Sequence, residues 1–311
     1  MSSSAAVQSR PYDVLVYGTI CLDAVWRVDA IPAPGGYVDV LDERRMVGGE
    51  AANTAIALAR WGLNVALAGN ALGDDADGDT LRRLFVEQAP EIDLQYVVTE
   101  PGTETPYCLC MATPDGNRTM VGKGFAGVHS TPLSAALAGS ATWFTAEPNA
   151  YAAGVAACLQ AAAAGAKLLP MDFTRQTDLN SLSTVVVTST DHIGSLPAPE
   201  LVHYAERIHG ESGAICIVTR GAAGCIVAAP GETRLVPAFA VPEIVDSTGA
   251  GDIFRAGLLY GFVKEWDLWR TIGFASAAAA LNCGAMGGWG GVRSVSEIEQ
   301  FRLSAVHNEV K

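Results

Sequence analysis

Short runs rich in β-branched residues alternate along this chain with alanine-dense stretches of helical length. DVLVYGT (residues 13–19), NVALAGNA (64–71), SATWFTAEP (140–148), KLLPMDF (167–173), STVVVTS (183–189) and AICIVTRG (214–221) read as strands. Between and after them, GGEAANTAIALARWG (48–62), DADGDTLRRLFVEQA (75–89), AAGVAACLQAAAAGA (152–166), PELVHYAERIHG (199–210) and TIGFASAAAALNCGA (271–285) read as helices. Near-continuous apolar runs suit strands buried on both faces, and an intervening helix supplies the crossover that parallel strands require. The alternation therefore predicts an α/β chain built on a mostly parallel sheet. CIVAAPGETRLVPA (225–238) adds strands joined by a glycine turn, and the small alanine side chains let helices pack close to the sheet.

Two segments break the rhythm. Residues 24–42 and 105–121 are extended in character with turn punctuation, and PDGN (114–117) is a hairpin signal. Strands inserted between α/β units predict a small second sheet, a lid over the carboxyl edge of the main one, where such folds bind ligands. Residues 1–11 precede the first strand without a leader-like apolar core and are expected to be a flexible tail, leaving 12–311 as one domain.

Composition removes several functional classes. The net charge of −13 and the lack of any basic cluster beyond Arg44-Arg45 and Arg82-Arg83 argue against a nucleic-acid surface. No apolar run approaches the ~18 residues of a membrane span. The seven cysteines are scattered, mostly in apolar strings and never as C-x-x-C, which predicts reduced core thiols and a cytoplasmic setting. The five histidines show no ligand spacing, so the sequence offers no zinc motif.

Chemistry concentrates in DSTGAGDIFRAG, residues 246–257. Glycines open the backbone to a ligand, and apolar residues recur at helical spacing from Ile253, so the glycine turn starts a helix. Unpaired amides and the helix dipole make that start an anion site. Asp252 at its rim would repel a bound phosphate unless it takes a proton from a group attacking that phosphate; a helix cap is the competing reading. No G-x-x-x-x-G-K-[ST] and no G-x-G-x-x-G after the first strand is present, which excludes P-loop and dinucleotide fingerprints.

From Tyr12 onward the chain resembles the ribokinase-type (pfkB) carbohydrate kinases. Asp246-Ser247-Thr248-Gly249-Ala250-Gly251-Asp252-Ile253-Phe254-Arg255-Ala256-Gly257 is similar to the C-terminal signature of that family, and Gly48-Gly49-Glu50-Ala51-Ala52-Asn53 to the N-terminal one. Gly73-Asp74-Asp75 with Gly78 resembles its G-x-D-x-x-G region. The resemblance implies a three-layer α/β/α sandwich with a β-sheet lid and use of ATP with Mg²⁺; the apolar Cys108-Leu109-Cys110-Met111 strand needs cover, which predicts a homodimer through the lid. The resemblance also implies Asp252 as general base and Gly249, Ala250 and Gly251 as anion hole. It further implies Asp23, Gly48, Gly49, Asn53 and Glu147 as acceptor-binding groups, with a satisfied amide at a helix start and a solvated strand end as the competing readings of Asn53 and Glu147. Thr219, Gly221 and Gly224 resemble a nucleotide-contacting turn, with a plain hairpin turn as the competing reading, and Asn282 a position facing adenine, with an exposed helix residue as the alternative. Asp246 and Thr248 resemble part of a K⁺ site, although Asp246 has the alternative of fixing the turn.

Two departures stand out. Where relatives carry Asn-x-x-Glu, this chain has Thr188-Ser189-Thr190-Asp191, so Asp191 would reach Mg²⁺ through a water. MDFTRQ keeps Asp172 and Arg175 of a D-x-N-x-R element without its Asn. The leading reading is a kinase of a small sugar's hydroxyl; a nucleoside kinase and a catalytically weak sensor are the alternatives. Thr105-Pro106-Tyr107-Cys108-Leu109-Cys110 lacks the basic residue that keto-deoxy acid kinases place there, which favours a neutral acceptor.

Overall fold

The computed structural model describes residues 10–127, 129–241 and 243–308; most of the expected tail, residues 1–9, lies outside them. In chain order the strands are β1 (Tyr12–Gly18), β2 (Cys21–Val28), β3 (Val40–Gly48), β4 (Val65–Gly69), β5 (Tyr107–Ala112), β6 (Arg118–Lys123), β7 (Ala141–Ala146), β8 (Lys167–Leu168), β9 (Val185–Ser189), β10 (Ile215–Thr219), β11 (Cys225–Ala229) and β12 (Glu232–Val236). The helices are α1 (Glu50–Arg60), α2 (Ala76–Gln88), α3 (Ala135–Ala138), α4 (Tyr151–Ala163), α5 (Thr177–Leu182), α6 (Thr190–Ile193), α7 (Ala198–Ser212), α8 (Ala250–Val263), α9 (Leu268–Asn282) and α10 (Val295–Asn308).

Val14 and Val16 leave one face of β1 and Leu15 and Tyr17 the other, and all four are buried, so the sheet needs helices on both sides. Val14 and Val16 share a core with α1, α8 and α9. Leu15 and Tyr17 pack with α4, and Cys216 and Val218 of β10 pack with α7. The main sheet runs β4-β1-β7-β8 with every pair parallel, then β9-β10-β11-β12, where β9 and β10 are parallel and β11 reverses. The expected strand KLLPMDF shortens to Lys167–Leu168 because Pro170 has no N–H for a ladder. The two halves meet there through a thin seam. Val187 N donates to Pro170 O at 3.2 Å, Asp172 N to Val187 O at 2.8 Å, and Met171 bridges Val187.

The second sheet is ordered β3-β2-β5-β6. β2 lies antiparallel to β3, with a register shift at Arg27/Val28, and parallel to β5. The β5–β6 hairpin closes through Thr113 N to Asn117 O at 3.0 Å, around the Asp115-Gly116 tip. This sheet extends beyond the expected segments at both ends, since Cys21–Asp23 and Gly122–Lys123 belong to it. Cys108, Cys110 and Ala112 face inward on β5, whereas β6 is exposed along its whole length. The hairpin tip touches the glycine loop, where Ser247 Oγ donates to Gly116 O at 2.8 Å and Arg118 donates to Ser247 Oγ at 3.1 Å. Among the described residues, no helix is long and apolar enough to cross a membrane.

Candidate active site

The carboxyl ends of the parallel strands deliver the acidic groups. Glu147, just past β7, is fully buried and accepts hydrogen bonds from Thr19 N, just past β1, and from Asn149 N at 2.7 Å. Its two oxygens thus fasten two strand ends together. Asn149 Nδ2 continues the contact to Glu50 Oε1 at 3.3 Å, at the first residue of α1.

The turn from Asp246 into α8 is held from behind. One oxygen of Asp246 accepts from Thr248 N at 2.8 Å and Thr248 Oγ1 at 2.6 Å, and the other from Gly287 N at 2.8 Å. Asn282, fully buried, donates to Gly288 O at 3.1 Å and Thr248 O at 3.4 Å and accepts from Gly291 N at 3.1 Å. Its amide therefore braces the loop. Gly249 sits at φ 72, and a Cβ there would lie 2.0 Å from Gly288 O, so only glycine fits. Ala250 N turns back to Ser247 O at 3.3 Å, and Ile253 N is bonded to Gly249 O at 2.9 Å. The amides of Gly251 and Asp252 lie ahead of the helical ladder, as anion-binding donors must.

Asp252, in the first turn of α8, is buried and accepts from Asn53 Nδ2 of α1 at 2.8 Å. Arg255, one turn on and fully buried, lies 3.6 Å from its other oxygen. Burial pushes the Asp252 carboxyl up to about 6, against the pull of Arg255 and Asn53 toward the ionised form. Arg255 is in turn held by Thr54 Oγ1 at 2.8 Å and Glu50 O at 2.7 Å, while its Nη1 is buried without a partner.

Across from the base, Asp23 of β2 is buried, with Cys21 Sγ donating at 3.1 Å. Burial raises it to about 7; the Cys21 bond opposes this, and the charges of Asp252 and Asp246 add to it. A Cβ at Gly48 would fall 2.0 Å from Asp23 Cγ, so the end of β3 must be bare for Asp23 to occupy this place. Gly49, at φ 96, turns the chain from β3 into α1. Asn53 Oδ1 is a buried acceptor with no hydrogen-bond partner among the described residues. Asp23, Gly48, Gly49, Asn53, Glu147 and the Asp246–Asp252 turn thus form one assembly.

A second group lies at the ends of β9 and β10. Thr219 Oγ1 donates to Thr188 O at 3.4 Å, and Gly221 and Gly224 make the turn into β11, closed by Arg220 N to Gly224 O at 2.7 Å. Asp191 is exposed on the short helix α6. Asp172, at φ 63, accepts from Thr188 Oγ1 at 2.7 Å and Ser189 N at 3.1 Å. Glu50 and Arg255 escaped the sequence reading, although both lie inside motifs it quoted. Their signal is a charge set among small or apolar helical residues, and Glu50 is raised well above the usual carboxylate range by burial and by Glu147 and Asp252.

The sequence matches the pfkB family carbohydrate kinases over residues 12–292. The chain belongs to that family. This pfkB kinase is 28% identical to a ribokinase of Lactococcus lactis, over 92% of its own length and 95% of the relative's. It is 27% identical to a nucleoside kinase of Methanothermobacter thermautotrophicus, covering 88% and 90% of the two chains. The structure of Arabidopsis thaliana ribokinase complexed with ribose and ATP superposes with a TM-score of 0.77 at 17% identity, covering 94% and 98%. The pfkB kinase therefore has the ribokinase fold and is a sugar or nucleoside kinase, and its family implies ATP with Mg²⁺.

Proposed function

We propose that this pfkB kinase moves the γ-phosphate of ATP to a hydroxyl of a small neutral sugar, with Asp252 as general base. The observation that carries the reading is a buried carboxylate at a helix N-terminus, held by Asn53 Nδ2 at 2.8 Å beside the buried polar side chains of Asp23 and Glu147. A hydroxyl seated between Asp23 and the free Asn53 Oδ1 meets a carboxylate and an amide, a pairing suited to a polyol. Asp252 takes its proton as the oxygen attacks, and the Gly251 and Asp252 amides face the charge gathering on the transferring group.

The donor set fits a hard divalent cation, because Glu50 is a carboxylate crowded by Glu147, Asp252 and Asp172, with Arg255 as countercharge to both Glu50 and Asp172. Asp172 and Glu50, with Asp191 through water, would hold Mg²⁺ beside the nucleotide, where it neutralises phosphate charge. Thr219, Gly221 and Gly224 would support the nucleotide. Asp246 and Thr248 would offer oxygens to K⁺ behind the loop.

The nucleoside reading is favoured by one finding, the similarity to a nucleoside kinase over 88% of the chain. A panel of sugars and nucleosides, scored by coupled ADP release with MgATP and by thermal shift, separates the two. Release with a pentose or hexose and none with nucleosides supports the proposal; the reverse pattern replaces it. An active Asp252→Asn variant refutes the assignment of the base.

A further inference from the structure

Asp23 of β2 stands in register beside Cys108 of β5, and Cys110, two residues along the same strand, faces the same side. The two thiol sulfurs are 3.6 Å apart, and a carboxylate oxygen of Asp23 completes a triangle in which every ligand atom lies within 4.8 Å of the others. Cys21 Sγ sits 3.1 Å from the same carboxylate. All of these groups are buried, and no Lys or Arg among the described residues forms an ion pair with Asp23. One carboxylate and two thiols are thus gathered at metal-ligand spacing, with no basic side chain among the described residues paired to the carboxylate.

We propose that Asp23, Cys108 and Cys110 form a site for a thiophilic divalent cation of the zinc type, and that its occupation blocks the acceptor. Tetrahedral ligation with zinc–sulfur bonds of about 2.3 Å gives a sulfur–sulfur edge of about 3.8 Å, close to the separation already present. A Cys108–Cys110 disulfide is poorly placed, since side chains two residues apart on a strand have Cα atoms about 6.6 Å apart, at the outer limit of disulfide geometry. Two thiolates and one carboxylate select zinc over magnesium by their softness. The fourth position is open to water. Because the metal takes the carboxylate assigned to the acceptor, metal and sugar exclude each other; this part rests on the proposed role of Asp23.

The test uses the full chain, with Co²⁺ as optical probe and Zn²⁺ as competitor. One Co²⁺ per chain is expected, with a thiolate-to-cobalt charge-transfer band that Zn²⁺ removes. Cys108→Ser and Cys110→Ser should each weaken that band, the double variant should lose it, and each single variant should weaken Zn²⁺ binding by more than about 10-fold. Iodoacetamide labelling of the unaltered protein, read by mass spectrometry, covers the case of a variant that does not fold: Zn²⁺ should protect Cys108 and Cys110. A cobalt spectrum without the thiolate band, or labelling indifferent to Zn²⁺, overturns the site. Inhibition by Zn²⁺ at fixed excess MgATP should be competitive with the acceptor found by the substrate panel. Metal binding without that competition overturns the blocking role and with it the placement of Asp23 in the acceptor site, while the metal site itself stands.

Discussion

Asp252 is ionised with difficulty, and in its proposed role as base it must be ionised to work. Its carboxyl, raised to about 6, is protonated below that pH and cannot accept a proton, so kcat/KM should rise with pH through about 6 and then level. Asp252→Asn should keep the fold and nucleotide binding, abolish that limb and lower turnover by about 10²–10⁴-fold; a pH profile of both proteins checks it. Folding stability carries the same proton with opposite sense. A carboxyl whose folded pKa lies above its unfolded one loses stability as pH rises from about 4 to about 6, so the Asn variant should show a flatter melting profile across that window. Arg255→Met should move the acid limb to higher pH, because the cation 3.6 Å away no longer favours the carboxylate. It should also lower the melting temperature, since a buried charge loses its partner. Asp252 and Asn53 could be read from motifs whose glycines and polar residues at fixed spacing carry chemical meaning, and Asp23 only through the family resemblance. Arg255 could not, because what it holds, Thr54 and Glu50 O, is remote in sequence and joined to it only by helix packing.

Two elements, the glycine turn and the β5–β6 hairpin, meet at Ser247. Gly249→Ala should cost about 1–2 kcal/mol for the left-handed backbone alone, and more because Gly288 O occupies the space of the new methyl. Loss of phosphoryl transfer with a lowered melting temperature is expected; a fully active alanine variant would show that the turn has another conformation. Arg118→Ala removes one of the two hairpin bonds to Ser247 Oγ and leaves the one to Gly116 O, so the acceptor KM should rise, and ATP hydrolysis without acceptor should increase as water enters. The element order was legible because buried parallel strands and their crossover helices differ in period and composition. The length of β8 was not. An apolar run predicts a strand, but Pro170 removes the amide that would extend it. Likewise the ends of the small sheet depend on pairing between β2 and β5, a long-range match that local periodicity does not encode.

At the scale of the molecule, β6 is an exposed edge strand carrying Met120 and Val121, each more than half exposed. Covering that edge with a second small sheet would satisfy unpaired backbone groups and apolar surface together. A dimer by light scattering at micromolar concentration is expected, and Val121→Lys should shift it to monomer; a monomeric unaltered chain removes the dimer and leaves the fold untouched. The main sheet holds a second weak line, at Pro170–Asp172, where a few hydrogen bonds join the half bearing β1, β4 and β7 to the half bearing β9 and β10. Amide hydrogens sense such a line directly. A segment joined by a few hydrogen bonds exchanges with solvent through smaller excursions than the strand centres on either side, which wait for larger ones. Deuterium should therefore enter Asp172 and Val187 well before Val16 or Ile217, dividing the chain into two slowly exchanging blocks, one around the groups assigned to the acceptor and one around those assigned to the nucleotide. Binding both substrates at once should close the gap between the exchange rates, because ligands held by both blocks make their separation costly.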